Sequence, residues 1–404
     1  QEKQSLQDQL KALNDELKGY LAVEYGKKPN DPQWLKSHQP FHWFVEFYAI
    51  IKNGGFGVII GNPPYFDLKQ LIDYSVKNYI TLKTKNLYPL VLERCIALSV
   101  NIARLGFIVP VSSISTEGYS TLQELVLKFS AHFSSYDDRP SRLFDGLEHI
   151  QLTIHIIQKK QVEIPRHFVT ECYRWSTMER PNLFPNLEYE SVETQFLLGC
   201  IPKISSSVEH SILRKVWNDS KSLGVQSTKI GQHRIFYSRK VHNFLQALDF
   251  VPSVYDGNDN LRPPSELKTL ALKSEDQAEA VFCILNSTLF RWFINVFSDC
   301  RHVNKREVEG FRCYLSILLK NNGNSVHKCA IKLSDSLKKT SEFRKMQFKH
   351  DTLRVQCIIP KLSKPIIDEI DHILAKHYGF TDEELDFIIN YDIKYRMGRD
   401  NSEE

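Results

Sequence analysis

Residues 54–65 read Gly54-Gly55-Phe56-Gly57-Val58-Ile59-Ile60-Gly61-Asn62-Pro63-Pro64-Tyr65. The apolar, β-branched run from Val58 to Ile60 predicts a short buried strand, and the flanking glycines begin and end it. The two prolines that follow have fixed φ angles and no N–H group, so they predict a stiff turn. Open α/β folds bind ligands at the carboxyl ends of their strands. The turn is therefore a candidate functional site.

The turn carries groups suited to methylation of a planar nitrogen. The side-chain oxygen of Asn62 and the carbonyl of Pro63 can accept both hydrogens of an exocyclic amine. Holding them moves the nitrogen towards tetrahedral geometry and frees its lone pair for attack on a sulfonium methyl group. Tyr65 can stack on the ring that carries the amine. The alternative is an Asn-Pro-Pro turn without catalytic function.

Length and composition indicate a globular protein of two or three domains. The 404 residues are 42% apolar and 25% charged, and the net charge of +4 is compatible with nucleic-acid binding. The eight cysteines form no Cys-x-x-Cys pair, which predicts reduced thiols and no metal site. No apolar run approaches a membrane span, and no signal peptide opens the chain, so we expect a cytoplasmic protein. Because the chain begins with Gln1, we expect a processed product or a piece of a longer protein.

Hydrophobic spacing places helices on both sides of the turn. A leucine stripe predicts an amphipathic helix from about Gln4 to Tyr25, which packs on its own domain or forms a short coiled coil. Pro40 predicts the start of a second helix that runs into Gly54-Gly55. After the turn, a helical stripe extends from Leu87 to Leu105.

Further strands and helices follow. Gly106–Pro110 and Leu152–Ile157 are predicted strands, and Ser120 with Gln123 has capping-box spacing ahead of a helix. Strand and helix thus alternate from Phe56 to Lys160, the pattern of a parallel α/β sheet. Leu267–Leu272 and Ala278–Val296 are the clearest core elements after that, and Thr381 with Glu384 predicts the start of a final helix.

Several blocks, in order, resemble adenine-specific DNA methyltransferases of the type IIG restriction–modification kind. The resemblance covers about Gln39 to Gly398. Its blocks are Gln39-Pro40-Phe41-His42-Trp43 with residues 54–65, Asn86-Leu87-Tyr88 with Glu93-Arg94, Gly106–Pro110, Asp138-Arg139-Pro140 with Leu143-Phe144-Asp145-Gly146 and the strand Thr153–Gln158, Leu285–Phe290 with Ser298–Arg306, and His377–Thr381. Asn62-Pro63-Pro64-Tyr65 is similar to the catalytic loop of that family.

The resemblance implies methylation of adenine N6 in duplex DNA, with S-adenosyl-L-methionine (AdoMet) as cofactor and the adenine flipped out of the helix. It makes Asn62, Pro63, Pro64 and Tyr65 the catalytic residues. It also makes Phe144 a second stacking residue beside Tyr65; the alternative for Phe144 is a core aromatic. No metal is required, and the implied setting is restriction–modification or phage defence.

The resemblance also assigns the basic residues near the DNA-recognition region. Arg301, Lys305 and Arg306 are the predicted contacts to phosphates or a guanine edge. A second basic run is Lys338, Lys339, Arg344, Lys345 and Lys349. For either cluster the alternative is a solvated surface.

One part of the family pattern is missing. No glycine precedes Gly54 except Gly19 and Gly26, so the Gly-rich AdoMet-binding turn and its ribose-binding carboxylate are absent before the catalytic loop. The expected fold is therefore α/β: the second half of a Rossmann-like class I methyltransferase sheet, followed by a mixed α+β DNA target-recognition domain. An upstream segment or subunit is expected to supply the cofactor-binding half, and a nuclease or specificity subunit is a further possible partner.

The predicted domains are a helical segment (1–53), the methyltransferase catalytic part (54–160), the target-recognition domain (161–360) and a C-terminal helical element with a tail (361–404). Two other function classes stay open. One is a non-catalytic DNA specificity module with a vestigial methyltransferase half. The other is a methyltransferase acting on RNA guanine or on protein glutamine, whose tetrapeptide looks the same; the long region after Lys160 favours DNA recognition.

Overall fold

The computed structural model describes residues 2–71, 74, 76–193, 199–264, 267–347 and 351–398. The chain forms two compact units. The first unit comprises Gln1–Val109, Thr121–His132 and Ile154–His167, and the second comprises Pro110–Ser120, Phe133–Thr153 and Phe168–Glu404. Each unit is thus built from segments that are discontinuous in sequence. The functional boundaries at residues 53, 160 and 360 stay predictions.

The N-terminal segment is helical, as its leucine spacing predicts. Its helices are α1 (Glu2–Glu24), α2 (Pro32–His38), α3 (Trp43–Glu46) and α4 (Tyr48–Lys52). The Asp31 carboxylate caps α2 by accepting hydrogen bonds from the amides of Gln33 and Trp34 at 2.9 and 3.1 Å. The predicted helix start at Pro40 is wrong, because His42 is still extended and the helix begins only after it.

The leucine stripe of α1 does not pack over its whole length. Leu6, Leu10 and Leu13 are 63%, 45% and 46% exposed, whereas Gly19 and Ala22 are buried. The expectation that this stripe packs on its own domain therefore holds only at the C-terminal end of the helix.

A six-stranded mixed sheet contains the strand before the Asn-Pro-Pro turn. Its strands are β1 (Phe56–Gly61), β2 (Ser99–Pro110), β3 (Ser130–Tyr136), β4 (Leu152–Lys159), β5 (His167–Tyr173) and β6 (Glu190–Ser191), in the order β1-β2-β4-β3-β5-β6. β1 runs parallel to β2, and β5 runs antiparallel to β6. β1 lies at the edge of the sheet, and Val58 and Ile60, which share one face of the strand, are 61% and 82% exposed. The strand is confirmed, but the prediction that it is buried is wrong for this chain.

Helices α5 (Leu87–Leu98), α6 (Ser112–Ser115) and α7 (Ser120–Val126) lie between these strands. The predicted helix over Leu87–Leu105 is too long, since β2 begins at Ser99. Burial in β2 alternates with period two: Ala103 and Leu105 are buried, whereas Ile102 is 71% exposed. Ser120 has helical dihedral angles after a 3₁₀ turn, so the predicted capping box does not form there.

Strand β3 has no counterpart in the sequence predictions. Its residues, Ser130-Ala131-His132-Phe133-Ser134-Ser135-Tyr136, show little hydrophobic alternation. Hydrogen bonds compensate for its buried polar groups: the Ser135 amide donates to Oγ1 of Thr170 at 3.1 Å, and the Tyr136 hydroxyl donates to Oγ of Ser134 at 3.0 Å.

The second unit contains nine further helices among the described residues. They are α8 (Ser207–Trp217), α9 (Leu223–Gln226), α10 (Glu275–Asn286), α11 (Thr288–Phe297), α12 (Lys305–Gly310), α13 (Leu315–Lys339), α14 (Lys364–Tyr378), α15 (Asp382–Asn390) and α16 (Ile393–Arg396). Short 3₁₀ helices span Leu68–Gln70, Ile80–Thr84, Glu117–Tyr119, Thr177–Asn182 and Pro360–Ser363. The capping box of Thr381 and Glu384 is confirmed at the start of α15.

Two small antiparallel sheets accompany these helices. Their strands are β7 (His233–Ser238), β8 (Ala247–Leu248), β9 (Val254–Tyr255), β10 (Leu261–Arg262), β11 (Leu267–Leu272), β12 (Glu342–Gln347) and β13 (Thr352–Cys357). The strand orders are β11-β7-β8 and β10-β9-β13-β12. The predicted core element Leu267–Leu272 forms β11, in which Leu270 and Leu272 are buried.

Helices α10 and α11 form the centre of the second unit's core. Every residue of α11 is buried. The carboxylate of Asp371, on α14, accepts hydrogen bonds from the first two amides of α11, those of Thr288 and Leu289, both at 3.1 Å. Among the described helices none is by itself long and apolar enough to cross a membrane; only α10 and α11 taken together reach that composition, with a bend of 65° between them.

Candidate active site

The approach to the Asn-Pro-Pro turn depends on glycine. Gly55 has φ +116°, and a Cβ atom there would lie 2.1 Å from the carbonyl oxygen of Leu98. No L side chain fits that space or that backbone conformation. Gly55 therefore lets β1 pair closely with the start of β2, and β1 then delivers Asn62 to the carboxyl end of the strand.

The structure brings the first and last residues of the predicted catalytic loop together. The hydroxyl of Tyr65 lies 2.8 Å from Oδ1 of Asn62 and 3.0 Å from the carbonyl oxygen of Ile108, on β2. Asn62 and Pro64 are exposed, whereas Pro63 is buried and Tyr65 is half-buried. The loop is thus held against β2 through Tyr65, while the Asn62 amide stays accessible to a ligand.

Tyr65 remains a hydrogen-bond donor over the physiological pH range. Burial raises the pKa of its hydroxyl to about 12, so the group is neutral. Its ring meets that of Tyr88, on α5, edge-on, with ring centres 6.1 Å apart. One edge of the Tyr65 ring is therefore fixed by the protein.

The segment after the loop is anchored by Glu93, on α5. Its carboxylate accepts hydrogen bonds from the amides of Ile80 and Thr81 at 3.1 and 2.9 Å and from the Thr81 hydroxyl at 2.7 Å. The amide of Leu87 donates to the carbonyl of Phe66 at 2.8 Å. Glu93 lies in one of the blocks that resemble the methyltransferase family, but its anchoring role leaves no signal in the sequence.

The predicted stacking residue Phe144 lies in the second unit, half-buried in the loop between β3 and β4. Asp138 organises this loop: its carboxylate accepts from the amide of His149 at 2.9 Å and from Nε2 of Gln151 at 2.8 Å. The structure thus places Phe144 on a hydrogen-bonded loop. Its pairing with Tyr65, which belongs to the first unit, stays a prediction.

The three predicted DNA contacts differ in their surroundings. Lys305 is 76% exposed and lies 3.4 Å from Glu309. Arg301 is 23% exposed, with Nη1 3.6 Å from Oδ2 of Asp138. Arg306 is 21% exposed, and it donates to the carbonyls of Ser115 and Phe297 and to Glu307. A contact to DNA therefore suits Lys305 and Arg301 better than Arg306.

The second basic run lies at the end of α13 and on β12. Lys338 and Lys339 occupy the last turn of α13, and Arg344 and Lys345 are exposed on β12. Nζ of Lys338 lies 5.1 Å from the centre of the Phe250 ring. Lys349 lies outside the described residues.

The residues before β1 bear on the expected absence of a Gly-rich cofactor-binding turn. Residues 2–53 of the described chain contain helices and turns but no strand, so they form no strand-to-helix glycine turn of the kind that holds a nucleotide cofactor. What is present is the carboxyl end of β1 with the exposed Asn62.

Residues 2–142 match the model of the Eco57I restriction-modification methylase family. A curated relative, the putative type II restriction enzyme and methyltransferase RM.MjaORFECS2P of Methanocaldococcus jannaschii, is 33% identical over 123 residues. That match covers 30% of this chain and 10% of the relative, so the chain spans a small part of that protein's length.

Solved structures with distant similarity are also restriction–modification enzymes. The type IIL enzyme MmeI in complex with DNA is 11% identical, with a TM-score of 0.41 over 88% of this chain and 58% of that chain. The type ISP enzyme LlaGI, in complex with a DNA substrate mimic, is 9% identical, with a TM-score of 0.38 over 76% of this chain and 47% of that chain. The family match and the curated relative support a restriction–modification methylase, and Asn62–Tyr65 lies within residues 2–142, the range that the family model matches.

Proposed function

We propose that this chain is the catalytic-loop and DNA-recognition part of an AdoMet-dependent DNA methyltransferase that modifies adenine N6 in a restriction–modification or phage-defence system. The observation that carries the proposal is the exposed Asn62 at the carboxyl end of β1, in direct contact with Tyr65. The match of residues 2–142 to a restriction–modification methylase supports it.

In this proposal the chain's own residues hold and align the base. The adenine leaves the duplex, because its amine is paired and stacked inside it. Oδ1 of Asn62 and the carbonyl of Pro63 accept the two amine hydrogens, and Tyr65 and Phe144 stack on the ring. Alignment and polarisation of the amine are the protein's main contributions. AdoMet, when bound, supplies the methyl group.

The Tyr65 hydroxyl affects how Asn62 can act. It donates to one lone pair of Oδ1, and an amide oxygen has two. The adenine amine can therefore bind the second lone pair without breaking the Asn62–Tyr65 contact. The Tyr65 hydroxyl then fixes the direction in which the Asn62 amide points.

The exposed edge of β1 supports the need for an upstream half. A strand edge with unpaired backbone groups and exposed Val58 and Ile60 is a site for pairing with another strand. In the proposed enzyme the cofactor-binding half of the sheet pairs there. It is supplied by an upstream segment or by a separate subunit.

The test is transfer of radiolabelled methyl groups from AdoMet to DNA, with the upstream coding region expressed together with this chain. We expect label in N6-methyladenine. Asn62→Ala should lower the rate a few hundredfold, because one positioned acceptor is worth about 3–4 kcal/mol by analogy with oxyanion-hole donors. Asn53→Ala, at an exposed asparagine before β1, is the matched control. Label in RNA or protein, or normal turnover by Asn62→Ala, would overturn the proposal.

A further inference from the structure

The second unit contains a cavity of about 260 Å³ with a strongly basic lining. The loop between β3 and β4, Arg174, residues 240–243, residues 300–302 and α11 contribute to it. The charged residues that line it are Asp137, Arg139, Arg174, Lys240, Arg291 and Arg301. Drug-sized ligands occupy pockets of about 300–1,000 Å³. This cavity therefore suits a smaller ligand, and its excess of positive charge favours an anion.

The arginines of the cavity are only partly neutralised by the protein. Nη1 of Arg174 lies 2.8 Å from Oδ2 of Asp392. Arg291 donates to the carbonyl of His242 at 3.0 Å and to the side chain of Asn295, both neutral acceptors. Asp137 is a single acidic residue among five arginine and lysine residues of the lining. Positive charge therefore remains inside the cavity.

Two buried donors on these arginines lack an acceptor among the described residues. They are Nε of Arg174 and Nη1 of Arg301. Their nearest carboxylate oxygens, on Asp137 and Asp138, are 3.8 and 3.6 Å away, too far for a hydrogen bond. A buried donor without an acceptor is destabilising. An oxyanion in the cavity would offer acceptors to both arginines, whose planar forks suit phosphate oxygens.

We propose that this cavity binds a phosphate group, and that its occupant in the protein–DNA complex is a phosphodiester of the DNA backbone. The inference rests on the proposed function for the identity of the occupant. The loop between β3 and β4 links the cavity to the proposed methylation function. It carries Phe144, the proposed stacking residue, and it contributes Arg139 and Gln151 to the cavity. A phosphate held there would position the strand that carries the flipped base.

The first arm of the test measures inorganic phosphate binding to the full chain by phosphorus NMR line broadening. Arg301→Gln should weaken binding about tenfold, because it removes a charge-assisted hydrogen bond. Arg214→Gln is the matched control: it removes one positive charge from a side chain that is 58% exposed on α8. Unchanged phosphate binding by Arg301→Gln, or no binding by the unmodified chain, would overturn the inference.

The second arm distinguishes a DNA phosphate from free phosphate. A short DNA duplex should displace the bound phosphate; phosphate that stays bound in the presence of saturating duplex would overturn the assignment to DNA. If Arg301→Gln lowers the melting temperature, Arg139→Gln repeats the test at a side chain that is 62% exposed. Displacement by DNA, together with no methyl transfer when the upstream half is supplied, would leave the phosphate site standing and refute the proposed function.

Discussion

The hydroxyl of Tyr65 lies 2.8 Å from Oδ1 of Asn62, so the outer residues of the tetrapeptide are in direct contact. The same hydroxyl lies 3.0 Å from the carbonyl oxygen of Ile108, and its single hydrogen is shared between the two acceptors. Tyr65 thus has two separable contributions. Its ring can stack on a base, and its hydroxyl orients the Asn62 amide against β2.

Tyr65→Phe separates these two contributions. It keeps the ring and removes a hydrogen bond worth about 0.5–1.5 kcal/mol, so we expect a rate of methyl transfer lowered about two- to tenfold and little change in DNA affinity. Tyr65→Ala should also lose stacking worth about 1–3 kcal/mol. Single-turnover experiments on the complete enzyme measure the rate of methyl transfer, and DNA titrations measure its affinity for DNA. Tyr20→Phe, at an exposed tyrosine of α1, is the control. Equal effects of Tyr65→Phe and Tyr65→Ala would contradict a separate role for the ring.

We expect the isolated chain to bind AdoMet very weakly. Its described residues provide the carboxyl end of β1 but no Gly-rich turn for the cofactor. Calorimetric titration of AdoMet into the chain alone, and into the chain with its upstream half, measures the difference. Micromolar affinity of the chain alone would show that it holds a cofactor site of its own.

Ile60→Lys tests the exposed edge of β1. Ile60 is 82% exposed, and we expect the isolated chain to be poorly soluble because this edge is uncovered. A lysine there should raise solubility of the chain alone and weaken its assembly with the upstream half. Ile230→Lys, at a position 90% exposed in the second unit, should leave assembly unchanged. Light scattering and co-purification give the two readouts. Normal assembly of the Ile60→Lys chain would argue against an interface at β1.

Lys305 and Arg306 should respond differently to loss of charge. Lys305→Gln removes an exposed charge, so we expect intact folding and a shallower salt dependence of DNA binding, by about one unit of slope. Arg306→Gln removes the donors to the carbonyls of Ser115 and Phe297, so we expect a lower free energy of unfolding. Fluorescence anisotropy across salt concentrations and urea denaturation distinguish the two effects. DNA binding that ignores salt in the unmodified protein would rule out phosphate contacts altogether.

His155 should make the first unit sensitive to acid. Burial lowers the pKa of this β4 side chain from 6.5 to about 3. As pH falls below 6.5, the unfolded chain takes up a proton that the folded chain does not take up until about pH 3, so the free energy of unfolding falls by at most about 1.4 kcal/mol per pH unit. His155→Gln should flatten this dependence, and the exposed His372→Gln should not. Urea denaturation between about pH 3 and pH 6.5 measures the free energy of unfolding of the variants and of the unmodified chain. Parallel curves for His155→Gln and the unmodified chain would refute the assignment.

Several features follow from local sequence. The glycines before β1 and its β-branched residues predict a strand, and the strand is present. The leucine spacing of α1 and the Thr381–Glu384 capping box also predict structure that forms. These signals concern residues within a few positions of one another, where backbone preference and side-chain period determine the conformation.

Tertiary pairing decided where α5 ends. Ile102 and Leu105 fit the helical stripe that begins at Leu87, yet both lie on β2. The register of β2 against β1, such as Ile59 with Leu105, makes the extended conformation the better one for these residues. A short apolar pattern is compatible with both the helical and the strand period of side chains, so its conformation depends on the neighbouring strand.

The sequence by itself identified the tetrapeptide as a candidate site and determined that a strand precedes it. The tertiary structure alone decided which side chains and backbone groups meet. The Ile108 carbonyl bonds Tyr65 from a separate strand, and backbone acceptors have no signature in sequence. Arg301 and Arg306 have the same side chain, but one lines a cavity and the other donates to Ser115 and Phe297. Their difference depends on contacts with residues far away along the chain, Asp138 for Arg301 and Ser115 for Arg306, and only folding creates these contacts.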